Sequence, residues 1–276
     1  MPELPEIETI ATTLRDGTKD QPPIVGRQVL GTQLLWERTL ADPKPAEFRS
    51  RIIGQTITGT GRRGKYLMLP LTADTLLIHL RMSGDLLVES VTQPSAPHHR
   101  LMIELDGGLR LAFNDSRKFG RVWLTSNPDA VLGKLGPEPL DLAFTAGVLY
   151  QRLQTRRRQL KPLLLDQSFL AGMGNIYTDE ALHMARLHPL TLANTLTVEQ
   201  AERLWSSIRQ VLSDGIRNNG ASIDWVYRGG SYQHHFRVYQ RAGEACQECG
   251  SLVERIVVGQ RGTHLCPTCQ LHFFQE

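Results

Sequence analysis

The sequence predicts an α+β chain. A leading helix enters a strand-rich, sandwich-like first half, helices follow, and a short-stranded, cysteine-bearing tail closes the molecule. Three observations carry this. Segments such as IIGQTITGTGRRGKYLMLPL, TLLIHLRMSGDLLVESV and HRLMIELDGGLRLAFND alternate apolar and polar residues between turn signals, the spacing of an antiparallel sheet or sandwich. After the Gly- and Pro-rich stretch LGKLGPEPLD, residues 132–141, the patterning becomes helical. All four cysteines lie in the last 31 residues.

Taken in order, Ile7, Ile10, Ala11 and Leu14 recur at helical spacing, so a helix precedes the strands. VGRQVLGTQLLWERTL and FGRVWLTS complete the strand set. AFTAGVLYQRLQTRRRQLKPLLLDQ predicts one or two helices. In TVEQ, Thr197 and Gln200 fit a capping box, and Leu204, Trp205, Ile208, Val211 and Leu212 then form an apolar face. NNGASIDWVYRGGSYQ is loop-like, and short strands surround the cysteines from about Phe236. The expected division is a β-sandwich domain over 2–131, a linker over 132–141, a helical domain over 142–235 and a β-hairpin module over 236–276.

At 276 residues the chain can bury the cores of about two domains. Its 41% hydrophobic and 21% charged content is that of a globular protein. No apolar run reaches the roughly 18 residues of a membrane helix. The acidic start lacks the basic and apolar regions of a secretory signal, so an intracellular protein with no membrane association is expected. The net charge is +3, and six lysines among 31 basic residues leave 25 arginines. Arginine suits forked contacts to phosphate; a compositional bias of the gene produces the same count.

Cys246, Cys249, Cys266 and Cys269 follow a Cys-x2-Cys-x16-Cys-x2-Cys spacing, that of a zinc ribbon. Four thiolates close a tetrahedral site with no open position, so one structural zinc is expected. A redox role for the two CxxC pairs is the alternative. Arg261, beside a glycine between the pairs, falls near a hairpin tip as a candidate phosphate contact or as an uninvolved exposed arginine.

The opening MPELPEIETI has two readings. Removal of Met1 would expose the ring nitrogen of Pro2 as a secondary amine, able to attack a carbonyl-type carbon and form an iminium ion. A terminal amine titrates near 7.7–8.0, well below lysine at about 10.4. Glu3 and Glu6, three residues apart, would share a helix face and could move protons beside it. Equally, a proline and acids in the first turn are what any helix start favours.

Several motifs together decide between them. MPELPEIET, GRRGKYL, HLRMSG, NDSRKFG, QSFLAGMGNIYTDEAL and GQRGTHLCPTCQ closely resemble, in order, signature segments of the formamidopyrimidine-DNA glycosylase family. The resemblance implies a bifunctional glycosylase and abasic-site lyase for oxidised purines in double-stranded DNA. It further implies a helix–two-turn–helix element and a zinc-finger hairpin in the second half, and a monomer in the bacterial cytoplasm at the nucleoid. By motif, Pro2 would be the nucleophile at C1′, Glu3 the proton donor and Glu6 its support. Lys65 would hold a phosphate beside the lesion. Asn175 and Arg261 would grip phosphates, with Lys161 as a further phosphate candidate. Flipping a nucleotide out leaves a hole, which Met82, Arg117 and Phe119 would fill. Glu8 keeps the reading of a solvated helix charge. Some features depart from the family pattern. The loop around IDWVYRGGSYQ is shorter than usual, and Gln240 and Gln260 stand where glycine is common. PELPE and the Met–Arg–Phe set favour this purine branch over the sister endonuclease VIII-like enzymes, which prefer oxidised pyrimidines.

Overall fold

The computed structural model describes residues 1–223 and 229–271. The chain forms two compact units. One comprises Met1–Lys134 with Ala221–Gly230, the other Leu135–Gly220 with Ser231–Glu276. The described residues 221–223 and 229–230 thus pack with the first unit, although linear patterning places them in the helical region.

The first unit opens with α1 (Leu4–Asp16). A four-stranded sheet follows the order β1 (Val29–Leu34), β7 (His99–Leu105), β8 (Leu109–Asp115), β6 (Gly84–Ser90). A five-stranded sheet follows the order β2 (Leu40–Asp42), β9 (Arg121–Thr125), β5 (Thr75–His79), β4 (Tyr66–Pro70), β3 (Gly61–Arg63). Both sheets point alternate residues into one core: Leu67, Leu69, Leu76 and Ile78 from the second, Leu86, Leu101, Ile103, Leu111 and Phe113 from the first. Ile7, Ile10, Ala11 and Leu14 of α1 join it, as their spacing predicts. The sandwich is not wholly antiparallel, because β2 runs parallel to β9. A helix that the pattern does not announce, α2 (Pro45–Ile52), sits between β2 and β3. It buries only Phe48 and Ile52, one i,i+4 pair, too short a stripe to read as a period. A one-turn helix, α3 (Asp129–Leu132), ends the unit's first stretch of chain.

In the second unit the predicted one or two helices are two, α4 (Ala146–Gln154) and α5 (Leu160–Leu164). Two turns, at 167–169 and 171–172, then lead into α6 (Asn175–Met184), giving the helix–two-turn–helix element. Gln167 holds the turns: its amide donates to the Met173 carbonyl at 2.8 Å and accepts from the Gly172 N–H at 3.0 Å. The long helix α7 (Val198–Arg217) starts at the predicted capping box. The Thr197 hydroxyl accepts the Gln200 N–H, and the Gln200 side chain accepts the Thr197 N–H at 2.9 Å. Leu204, Ile208, Val211 and Leu212 are buried where α7 packs on α4 and α6. Trp205 stays half-buried and donates its indole N–H to the Phe144 carbonyl at 2.6 Å.

The tail is a hairpin, β10 (Glu254–Val258) and β11 (Arg261–Leu265), turned by Gly259 and Gln260. Both turn residues have positive φ, 55° and 63°, as a two-residue primed turn requires. Gln240 also has positive φ, 59°. The two glutamines at positions where glycine is common are therefore both in the left-handed region. An L-residue there costs about 1–2 kcal/mol, and glycine's extra chain entropy offsets about 0.5–1 kcal/mol of that. Gln260→Gly should therefore stabilise the hairpin by up to about 1.5 kcal/mol. Thermal unfolding of zinc-loaded protein checks this, and a lowered midpoint would contradict it.

Candidate active site and nucleic-acid interface

The first turn of α1 builds the amino-terminal site. Pro2 is buried, while Met1 is exposed. Glu3 is the N-cap, Pro5 lies in the first turn, and Glu6 at N3 completes a reciprocal capping box. Both Glu6 oxygens accept backbone N–H groups: Oε2 from Glu3 at 2.7 Å and Oε1 from Ala221 at 2.8 Å. Glu6 therefore fixes the peptide that follows Pro2 and ties segment 221–223 to it, a supporting role. Glu3 and Glu6 are both almost fully buried. Ala221 is a site residue that sequence reasoning missed; its contact spans 215 positions and leaves no local signal.

Lys65 lies in the turn between β3 and β4, whose hairpin packs against α1. It is buried, 4% exposed, and follows Gly64 at φ 56°. The hairpin is pinned to the helix by the Thr60 hydroxyl, which donates to the Ala11 carbonyl at 2.6 Å. Arg62 pairs with Glu8 at 2.7 Å, so Glu8 is a clamp on this hairpin and not simply a solvated charge. Beside it His79 stacks edge-on against Tyr66 with ring centroids 4.7 Å apart. Burial, with the positive charges of Arg81 and Lys65, pushes its pKa down to about 3. His79 is thus neutral, and its Nδ1 accepts the Arg81 N–H at 3.0 Å.

Two loops of the same unit carry the void-filling candidates. Met82 lies between β5 and β6 and Phe119 between β8 and β9; they are 40% and 48% exposed, surface positions and not core. The exposed Arg117 guanidinium lies 5.0 Å from the Phe119 ring centroid.

The second unit brings Asn175 and Arg261 to neighbouring positions. Asn175 is the first residue of α6, and its side-chain amide donates to the Gly262 carbonyl at 3.0 Å. Arg261 is exposed next to that glycine, at the hairpin tip. Lys161 requires correction. Its side chain is fully buried, with the ammonium 2.5 Å from Asp179 and 3.1 Å from the Asn175 carbonyl. It has no surface to offer a phosphate; it is the internal counter-ion of α6. Asp179 also accepts the His264 backbone N–H at 2.9 Å, and Glu180 accepts those of Arg237, Val238 and Tyr239. Burial raises the Glu180 pKa, opposed by those three amides. These adjacent acids, missed from the sequence, join α6 to the hairpin module. Asp179→Ala would strand the Lys161 ammonium in the interior, at a cost of about 3–5 kcal/mol. Denaturant unfolding checks this, and unchanged stability would contradict it.

The four cysteine sulfurs all lie within 4.8 Å of one another. Cys246–Cys269 is 3.9 Å and Cys249–Cys266 3.4 Å, near the roughly 3.8 Å edge of a tetrahedron with Zn–S bonds of about 2.3 Å. Burial pushes the Cys266 and Cys269 thiols up, whereas the Ser251 amide and hydroxyl pull Cys249 down to about 6. Four thiolates this close require a cation to balance them, and zinc fits the donor set. The neutral His183 ring, its pKa lowered to about 4 chiefly by burial, lies 3.5 Å from the Cys246 sulfur.

A sandwich led by a buried proline, a helix–two-turn–helix element and a four-cysteine zinc finger define a class of DNA-repair glycosylase folds, and comparison with known proteins gives the family. Residues 1–122 match the formamidopyrimidine-DNA glycosylase N-terminal domain and 135–226 its H2TH domain. Residues 243–271 match a zinc finger found in FPG and IleRS. A formamidopyrimidine-DNA glycosylase of Chloroflexus aurantiacus is 49% identical, with 98% of each chain covered. The Lactococcus lactis Fpg (MutM) structure with N7-benzyl-Fapy-dG DNA superposes with a TM-score of 0.91 at 34% identity. That of the L. lactis Fpg with abasic-site DNA gives 0.90 at 33%. Both cover 98% of this chain and 100% of the other. The chain belongs to the formamidopyrimidine-DNA glycosylase family.

Proposed function

We propose that this protein is a bifunctional DNA glycosylase and abasic-site lyase of base excision repair. It removes oxidised purines, 8-oxoguanine and formamidopyrimidines, from duplex DNA in the bacterial cytoplasm at the nucleoid. The observation that carries the reading is Pro2 buried at the head of α1, its following peptide fixed by Glu6. With Met1 removed, the Pro2 nitrogen attacks C1′ of the flipped nucleotide, and the base leaves with a proton. Glu3 protonates the sugar oxygen as the ring opens, leaving an iminium between Pro2 and C1′. Loss of the C2′ proton expels the 3′ phosphate, and a second elimination expels the 5′ phosphate, leaving a one-nucleotide gap. Lys65 holds a phosphate beside the lesion, Asn175 and Arg261 grip the backbone, and Met82, Arg117 and Phe119 occupy the vacated space. Affinity should fall with salt as binding to phosphates releases counterions.

The test is borohydride reduction during turnover on an 8-oxoguanine duplex, with a thymine glycol duplex alongside. A covalent protein–DNA adduct and preference for 8-oxoguanine are expected. Strand cutting without an adduct overturns the mechanism, and preference for thymine glycol overturns the purine assignment.

A further inference from the structure

We infer that Asp115 is a positioning residue that joins the Met82 loop and the Arg117–Phe119 loop into one stiff wedge, an inference that rests on the void-filling role proposed for these residues. The Asp115 carboxylate is fully buried at the end of β8. The Ser83 hydroxyl donates to its Oδ1. The Arg117 N–H donates both to that oxygen at 3.2 Å and to the Ser83 oxygen at 3.1 Å. The Gly120 N–H donates to Oδ2 at 2.7 Å. Each bond borders a wedge residue: Ser83 follows Met82, the second amide belongs to Arg117, and Gly120 follows Phe119. The clamp is itself anchored, since the Asp115 carbonyl accepts from Arg100 Nε at 2.7 Å.

Two features show why such a clamp is needed. Arg81 and Lys118 hold left-handed backbone, φ 55° and 61°, which persists only where surrounding bonds over-determine it. Gly120 packs so closely on Phe113 that only glycine fits, because a Cβ there would lie 2.2 Å from the Phe113 ring. Apolar side chains that push into stacked bases work against a few kcal/mol per step. Two loops that yield separately would collapse, whereas loops sharing one carboxylate transmit the push. Asparagine could not replace it, because its NH2 group would face a backbone donor.

The test compares wild type, Asp115→Asn and Ser83→Ala on two substrates. One is an 8-oxoguanine duplex with 2-aminopurine beside the lesion. The other is a preformed abasic site in single-stranded DNA, where no stack has to open. In Asp115→Asn, duplex excision should slow about tenfold or more and the 2-aminopurine rise should slow with it. Single-strand elimination should stay within about twofold. Ser83→Ala, which removes only the hydroxyl relay, should shift the same pair of readouts less, and it serves if Asp115→Asn folds poorly. Equal losses on both substrates in Ser83→Ala, or undiminished duplex excision in Asp115→Asn, would overturn the clamp. A wild-type protein inactive on both substrates would instead overturn the proposed function.

Discussion

Pro2→Gly should sharply reduce the borohydride adduct and slow base excision on the order of a hundredfold or more, about 2.7 kcal/mol of barrier, while still binding duplex DNA. The reason lies in how this helix start is built. Its capping bonds come from the Glu3 and Glu6 side chains and backbone, and none uses the ring of residue 2. The variant should fold and keep Lys65, Asn175 and Arg261 in place. What it loses is the secondary amine, whose attack yields an iminium cation with no N–H to lose. A primary amine also gives an iminium when the sugar ring opens, but that cation keeps an N–H and can lose its proton to a neutral imine, a poorer electron sink. Protein that keeps Met1 or carries an amino-terminal tag has an amide and no amine at residue 2, and should give no adduct there. Binding with nicking abolished would exclude a protein that only binds damaged or bent DNA. Nicking retained at the wild-type rate would remove Pro2 from the mechanism.

Local chemistry was legible in the sequence. The Thr197 capping box, the α1 stripe, the hairpin that presents Arg261 and the cysteine spacing are each written within a few residues of chain, and each took its expected form. What escaped was long-range. Lys161 reads as a basic residue near a phosphate-binding turn, but its partner, Asp179, is 18 positions away and both are sealed from water. Nothing near Glu6 announces Ala221, and nothing near Glu8 announces Arg62. A usable signal did exist for Asp179 and Glu180: two adjacent acids on a helix whose neighbours Ile176, Tyr177, Ala181 and Leu182 are apolar. Acids in such a setting require internal donors. Gln240 and Gln260 were visible as departures, but their cost became visible only with their φ angles.

Stripping zinc should unfold the hairpin module and lower duplex affinity by more than tenfold, reversibly on adding zinc back. Among the described residues, the apolar cluster around the site is Val238, Cys246, Val253 and Cys266, with Cys269 packed against it. So few side chains cannot offset the chain entropy of ordering the module, whereas zinc binding in such modules contributes about 10–16 kcal/mol. The consequences extend along β11. The Gly262 carbonyl that orients Asn175, and the His264 amide and ring that complete the Asp179 site, belong to the strand that zinc holds. Arg261 would no longer be held at the tip, and the slope of log affinity against log salt should shrink by about 1 for each phosphate left unneutralised. Metal analysis should find one zinc per chain, and much less would contradict the site. Chelated protein that bound DNA with an unchanged salt slope would place the phosphate grip elsewhere. Because the α1 capping box is built within the first unit, chelation should leave the Pro2 amine competent. Trapping on abasic DNA at saturating protein and low salt should therefore survive zinc removal even as affinity falls, separating the chemistry of one unit from the grip of the other.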